Sequence, residues 1–290
     1  MSKSKVALKI KIISILTALV FFVVINHYLK ASKAPIKQIA ETPTLSTPTP
    51  TTTPTPVTAV VSTTVTVSPH DQPFLDTLKS EPTPDLSSLD VHQLSVPAYK
   101  QQYPRSCEES SLRMVLAYYG IQTGDMDIVK KVGYNPRPWD TKHNIWDDPN
   151  TMFVGNIDDP LKSGYGAFAP ALAKAARTFG RSAQSYTLVS ADFIATQIDQ
   201  DHPVMVWGFF NSPPYVKYSW QTPQGKSVTA YRGEHVRVVV ATLRAKDGTL
   251  VGFFLNDPLT GIGNEYWSAN RLMKHMNMWG PLTNQVVVVQ

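Results

Sequence analysis

The single cysteine of this sequence, Cys107, is the residue best suited to nucleophilic chemistry. Apolar residues recur after it at three- and four-residue spacing and stop before Gly120, which predicts an amphipathic helix that begins at Cys107. Ser106 and Glu109 have the spacing of a capping box, which would set Cys107 at the first helical position. Unpaired N–H groups at a helix start favour a thiolate, whereas the adjacent acids Glu108 and Glu109 oppose it. Cys107 is therefore a candidate nucleophile, with a buried core cysteine as the alternative.

A glutamine upstream of the cysteine could assist the same chemistry. Gln101 precedes Cys107 by six residues, so its side-chain amide could join the Cys107 backbone N–H in stabilising an oxyanion. Gln102 is adjacent to it, and the spacing alone does not decide between the two.

Seven histidines compete for the role of general base. Three precede the predicted core and are set aside: His27, His70 and His92. His143 falls in a polar loop, His202 enters a strand and His275 lies near a helix end. His235 instead begins an apolar run at 236–240, which predicts a position at the buried edge of a sheet. His235 is the candidate base, with a structural histidine at a strand end as the alternative.

A carboxylate that could orient this histidine follows from a predicted hairpin. The turn at 246–248 centres the hairpin on Asp247, so paired residue numbers should sum to about 494. His235 and Asp257 sum to 492, which places them on one face and within about one diagonal pair. A bulge would make Asn256 the alternative. The candidates combine into a nucleophile, a base, an orienting acid and an oxyanion donor: Cys107, His235, Asp257 and Gln101.

The elements that must position these residues follow from hydrophobic periodicity. Besides the helix at Cys107, helices are predicted at 168–179, 191–198 and 268–276, and strands at 204–210, 235–243, 249–256 and 285–289. Helices come first and strands mostly later, which favours an α+β fold with a helical half packed on an antiparallel sheet. All six tryptophans lie between Trp139 and Trp279, so we expect one folded domain at 85–290.

The N-terminal segment has a different character. Residues 1–40 contain seven lysines and no acid, and a run of apolar residues at 12–25 follows the first four lysines. This pattern predicts a signal anchor or a signal peptide, with the rest of the chain outside the cell membrane or secreted. The other 250 residues carry 20 basic and 22 acidic side chains, so the basic pI of 9.1 does not indicate nucleic-acid binding.

A linker is predicted between the anchor and the domain. Thr and Pro make up 18 of the 30 residues at 41–70. Such a composition cannot bury a core, so we expect an extended, disordered extracellular stalk over 41–84.

Several blocks of the sequence resemble the bacteriocin-processing-type cysteine peptidases and their stand-alone relatives in the papain-like superfamily. The resemblance covers residues 96–289 and lies in blocks that keep the family's order: 96–101, 106–108, 112–120, 146–155, 164–166, 202–208, 233–235 and 256–258. It implies a papain-like α+β fold, with Cys107 as nucleophile, Gln101 in the oxyanion hole, His235 as the catalytic histidine and Asp257 as the third member. Glu108 and Glu109 stand where many members have Gly-Pro.

The leading prediction is a cell-surface or secreted cysteine peptidase that needs no metal, cofactor or ATP and acts on a peptide or protein. Cleavage of a cell-wall stem peptide is the alternative within enzymes. From another class, a catalytically silent domain could bind peptide or cell-wall polymer in a groove lined by four aromatic residues: Trp146, Tyr165, Trp207 and Trp220.

Overall fold

The computed structural model describes residues 81–159, 163–209, 216–277 and 280–290. The predicted anchor at 1–40, and the predicted linker up to residue 80, lie outside the described residues. None of the helices in the described ranges is long and apolar enough to cross a membrane.

The described residues form five α-helices and two short 3-10 helices. The α-helices are α1 (Cys107–Tyr118), α2 (Asp125–Val132), α3 (Ala169–Thr178), α4 (Ala191–Asp199) and α5 (Ala269–Met276), and the 3-10 helices are Leu86–Ser88 and Gly280–Leu282. Four of the α-helices match the predicted ones, with starts and ends within one residue wherever both were predicted. Helix α2 was not predicted; it has only two turns and buries Ile128, Val129 and Val132.

Twelve strands occur within the described residues. They are β1 (Leu89–Gln93), β2 (Tyr134–Asn135), β3 (Phe153–Gly155), β4 (Gly164–Gly166), β5 (Ala183–Thr187), β6 (Val204–Phe209), β7 (Lys217–Gln221), β8 (Ser227–Tyr231), β9 (Glu234–Ala245), β10 (Leu250–Asp257), β11 (Ile262–Ser268) and β12 (Gln285–Val289).

Most of these strands belong to one antiparallel sheet with the order β11-β10-β9-β6-β12-β5. The long strand β9 pairs with β6 through its first half and with β1 through its second half. Helix α1 packs on β9, and α3 packs on β5 and β12. The predicted α+β class, with helices on an antiparallel sheet, is confirmed.

The hairpin of β9 and β10 has the register that the turn predicts at both of its ends. Leu250 pairs with Arg244 and Asn256 pairs with Val238, and both pairs sum to 494. Between them the register shifts by one residue and then shifts back. Continuing this register by one residue would place Asp257 opposite Arg237, two residues from His235 along β9.

The apolar stripe of α1 fastens the helix to this sheet. Leu112, Val115 and Leu116 are fully buried in the main core. Burial of each leucine stabilises the fold by about 2 kcal/mol, so the start of α1 is held firmly over β9.

A second, smaller core contains Trp146, Phe168 and Trp220, with Tyr165 packed against it. Trp207 is fully buried in the main core, Trp220 is equally buried, and Trp146 is 4% exposed. The indole N–H groups of Trp207 and Trp220 donate to the backbone oxygens of Ala167 and Asp147. The predicted aromatic groove is therefore wrong, because three of its four residues fill the interior.

Candidate active site

Helix α1 begins at Cys107, as predicted, but a capping box does not start it. Ser106 occupies the N-cap without a side-chain bond to the helix backbone, and its hydroxyl donates to Asp125 Oδ2 at 2.7 Å. Neither carboxyl oxygen of Glu109 has a hydrogen-bond partner among the described residues. The capping-box prediction is wrong because the Ser106 oxygen accepts the backbone N–H of Tyr103 at 3.1 Å while its O–H donates to Asp125 of α2.

Asp125 is the anchor of the helix start. It is fully buried, and its Oδ2 accepts hydrogen bonds from the hydroxyls of Ser106 and Ser110 and from the backbone N–H of Gln102 at 2.8 Å. Its Oδ1 lies 3.0 Å from Nη1 of Arg113. This network ties α2, the loop before α1 and two turns of α1 together, and so fixes the position of Cys107.

The thiol of Cys107 is partly buried and faces the start of β9. Its Sγ donates to Oε2 of Glu108 at 3.1 Å, and the backbone of Val236 acts to lower the pKa of the thiol. Burial, followed by the charge of Glu108, raises the pKa of the Cys107 thiol well above its ordinary value, and the Val236 backbone only partly opposes this. The resting thiol is therefore protonated, contrary to the favoured thiolate that the helix start alone predicts.

His235 is the second residue of β9, the strand on which α1 packs. Its ring is buried, and Nε2 is 2.8 Å from Oδ1 of Asp257. Because an ionised carboxylate can only accept, Nε2 carries the proton and Nδ1 is the nitrogen that can take up another. Burial lowers the pKa of His235, partly offset by the charge of Asp257, so the imidazole is neutral at neutral pH.

Arg237 completes this arrangement and is not among the residues predicted from the sequence. Its Nε lies 2.7 Å from Oδ2 of Asp257, and its guanidinium stacks over the Trp267 ring at 4.6 Å. Although burial raises it, the pKa of Asp257 is held well below its ordinary value by the charges of His235 and Arg237. The sequence feature that could have identified Arg237 is the two-residue period of β9, which places Arg237 on the same face of the strand as His235.

Asn256, the alternative orienting residue, contacts other parts of the chain. Its Nδ2 donates to the backbone oxygen of Val96 at 3.0 Å, and its Oδ1 accepts from the N–H of Asn264 at 3.1 Å. These bonds fasten the segment before the nucleophile to the sheet, while Asp257 is the residue that the structure brings to His235.

Gln101 lies near this turn, but its amide is engaged locally. Its backbone N–H donates to Pro258 at 2.7 Å, and Nε2 donates to the backbone oxygens of Tyr103 and Pro104 at 2.8 and 3.0 Å. Gln102 instead accepts from the N–H of Asp125 at 2.8 Å and supports the start of α2. Of the two glutamines, Gln101 is the one tied to the Asp257 turn.

Three of the other histidines within the described residues contact different partners, and Nδ1 of the fourth, His202, has no hydrogen-bond partner there. His92 pairs with Asp201 and His143 with Asp140, both on the surface. His275 packs on Trp267 with ring centroids 4.8 Å apart, and burial lowers its pKa to about 4.

One further acidic group borders the thiol. Glu234 precedes His235 and accepts a hydrogen bond from the Tyr165 hydroxyl. Burial, and next the charge of Glu108, raise the pKa of Glu234 well above its ordinary value.

In the part of the chain that the structure describes, no group of three or more His, Cys, Asp or Glu residues could hold a metal ion.

The model of the Peptidase_C39 like family matches residues 93–287. The solved structure of a C39-like peptidase from Bacillus anthracis matches 69% of this chain and 98% of its own, at 23% identity and a TM-score of 0.57. The peptidase domain of Streptococcus ComA matches 68% of this chain and 97% of its own, at 14% identity and a TM-score of 0.39. No curated protein matches this sequence.

Proposed function

The chain belongs to the Peptidase_C39 like family and is a cysteine-type peptidase, and from that premise we propose that Cys107, His235 and Asp257 are its catalytic triad. The observation that carries the proposal is the 2.8 Å contact between His235 Nε2 and Asp257 Oδ1, at the start of the strand whose Val236 backbone influences the pKa of Cys107. Nucleophile, base and orienting acid thereby follow one another from α1 across β9 to β10.

The reaction is the cleavage of a peptide bond. The Cys107 thiol proton passes to His235 Nδ1 while Sγ attacks the carbonyl carbon and the carbonyl oxygen becomes an oxyanion. The imidazolium then protonates the leaving amine as the C–N bond breaks, which leaves a thioester. Water, deprotonated by His235, attacks this thioester, and the released acid returns Cys107 to the thiol.

Asp257 acts on His235 in two ways. Its carboxylate fixes the imidazole so that Nδ1 is the basic nitrogen, and its negative charge stabilises the imidazolium that forms. Arg237 keeps this carboxylate ionised and aligned, because it occupies the second oxygen at 2.7 Å.

The oxyanion donors are the backbone N–H of Cys107, at the N-terminus of α1, and the amide of Gln101. In the resting structure Gln101 donates to Tyr103 and Pro104, so one of these two bonds must exchange for the oxyanion when substrate binds.

We further propose that this peptidase domain stands outside the cell membrane, on a Thr/Pro-rich stalk. The support is the basic and apolar pattern of residues 1–40 and the Thr/Pro composition of 41–70. Protease added to intact cells should release a domain by cutting at 41–72, and complete protection of the chain would contradict this location.

The proposed triad is tested with a thiol-directed probe on the native protein at mildly acidic pH. Cys107 is the only cysteine in the sequence, so every label reports on it. Because His235 takes up the thiol proton, labelling should be faster in the wild type than in His235→Ala, where it should fall to the rate of a thiol that has no neighbouring base. Equal labelling of both proteins would overturn the role of His235.

A further inference from the structure

The carboxyl group of Glu108 is held in place at both oxygens, directly beside the thiol. Oε2 accepts the Cys107 Sγ–H at 3.1 Å, and Oε1 accepts the backbone N–H of Ala167 at 2.9 Å. The residue is 2% exposed. A side chain in the first turn of a helix would ordinarily reach solvent, so this inward orientation needs a reason in the surrounding structure.

Gly166 provides the space for this carboxyl. A Cβ at position 166 would lie 2.0 Å from Oε1 of Glu108, which no real contact allows. The backbone there has φ of 140°, a conformation that residues with a side chain rarely adopt. The end of β4 is thus shaped around the Glu108 carboxyl.

The groups that face this carboxyl come from every element around it. They are Cys107 and Glu109 on α1, Arg105 in the loop before it, Tyr165 on β4 and Glu234 on β9. Arg105 is the one cation among these, and its Nε donates to the backbone oxygen of Asp159 at 3.3 Å. Burial is the largest effect on Glu108 and raises its pKa, although the bonds with Cys107 and Ala167 oppose it. The charge of Arg105 also opposes it, but burial outweighs these effects and favours the protonated carboxyl.

Resting on the proposed function, we propose that Glu108 is a further catalytic residue that gates the thiol: Cys107 can form its thiolate while the Glu108 carboxyl is protonated, and cannot while it is ionised. The proposal stands on the 3.1 Å contact and on the cavity that Gly166 leaves for the carboxyl.

The proton balance distinguishes the two states. With Glu108 protonated, the thiol proton moves to His235 Nδ1, and the Glu108 O–H turns to donate to the thiolate. With Glu108 ionised, the thiol donates to Oε2 as in the resting geometry. Loss of that thiol proton would then leave two buried negative charges in contact, which strongly opposes ionisation. In both states one proton lies between Sγ and Oε2. The thiolate forms only when Glu108 brings a second proton, so that the thiol proton can move to His235.

The experiment measures the second-order rate of alkylation of Cys107 by iodoacetamide, from acid to alkaline pH, on the full chain by intact mass. The wild-type rate should fall as pH rises through the Glu108 pKa, by about tenfold for each unit above it, and rise again when the thiol itself ionises. Glu108→Gln keeps the shape and an N–H donor, so the falling limb should vanish. Glu109→Gln, on the same buried helix turn but without a bond to Sγ, should keep it.

A wild-type profile that rises once with pH and never falls would overturn the gate without recourse to any variant. A Glu108→Gln profile that superimposes on that of the wild type, with both proteins folded by circular dichroism, would overturn it as well. Alkylation requires no peptide turnover, so either failure is distinct from failure of the peptidase proposal, which would appear as retained hydrolysis in Cys107→Ala.

Discussion

Arg237 and Asp257 form a buried ion pair, with Nε and Oδ2 2.7 Å apart and side chains 3% and 1% exposed. Removing one partner from such a pair strands the other charge in the interior. Arg237→Met should therefore lower the free energy of unfolding by about 3–5 kcal/mol in urea titrations. Peptide hydrolysis should fall too, because Asp257 would no longer be held in line with His235.

Arg244→Met is the matched control on the same strand. Arg244 pairs with Asp199 at 2.9 Å, but both side chains are about one-third exposed. Its loss should change stability by less than about 1 kcal/mol. Equal effects of the two substitutions would show that burial of the Arg237 pair is energetically unimportant.

Because Asp257 orients His235, we expect Asp257→Asn to lower kcat strongly, although asparagine has nearly the same shape as aspartate. In Asp257→Asn the amide can accept from His235 only if its NH₂ faces the Arg237 guanidinium, so one of two contacts must be lost. We expect kcat to fall by roughly 10²–10⁴, with Asp257→Ala at least as impaired.

Asn256→Ala provides the comparison for that measurement. It loses bonds to Val96 and Asn264 and should destabilise the fold by about 1–3 kcal/mol, while kcat of the folded enzyme stays within about threefold. A greater loss of kcat in Asn256→Ala than in Asp257→Asn would reverse the assignment.

Gln101 is expected to act only when an oxyanion forms. Gln101→Ala should lower kcat by about 10²–10³ and leave the alkylation rate of Cys107 nearly unchanged, because iodoacetamide displacement develops no oxyanion. Gln102→Ala should instead reduce stability, since Gln102 bonds the start of α2. Parallel losses of hydrolysis and alkylation in Gln101→Ala would indicate that Gln101 merely shapes the loop.

The buried carboxyl of Glu109 predicts a pH-dependent penalty on stability. Burial, and next the charge of Glu108, raise its pKa well above the ordinary value. The folded state then holds a proton that the unfolded state releases above about pH 4.3, so this contribution to stability is complete below that pH and is lost as pH rises through the folded pKa. Glutamine does not ionise, so Glu109→Gln should not lose this stability as pH rises.

Urea unfolding at two pH values checks the sign. At pH 4 the free energies of unfolding of Glu109→Gln and the wild type should agree, and at pH 8 the variant should be more stable by about 1–3 kcal/mol. A variant less stable than the wild type at pH 8 would show that ionised Glu109 is compensated in the folded protein.

The sequence predicts the parts of this site that depend on local geometry. The Asp247-Gly248 turn sets the register of β9 and β10, and this register brings Asp257 to His235. The apolar spacing after Cys107 likewise places that residue at the start of α1. A turn and a helical period act over a few residues, so their signals are visible in the chain itself.

The missing parts are set by tertiary burial of charged side chains. Arginine and glutamate usually lie on the surface, so the sequence does not indicate that Arg237 and Glu108 are buried. Only the packed structure shows that Arg237 bonds with Asp257 and Glu108 with Ala167. The capping box also depends on tertiary contacts, because the Ser106 hydroxyl bonds with Tyr103 and Asp125 and not with the N–H groups of α1.

The central claim is that Cys107 is the nucleophile of a peptidase, and the most direct test is kcat/KM for a peptide library cleaved by the wild type and by Cys107→Ala. Cys107→Ala loses one sulfur at a helix start, so its free energy of unfolding should stay within about 1 kcal/mol of the wild-type value. The account predicts that Cys107→Ala retains less than about one thousandth of the wild-type kcat/KM. Undiminished cleavage by the folded variant would contradict it.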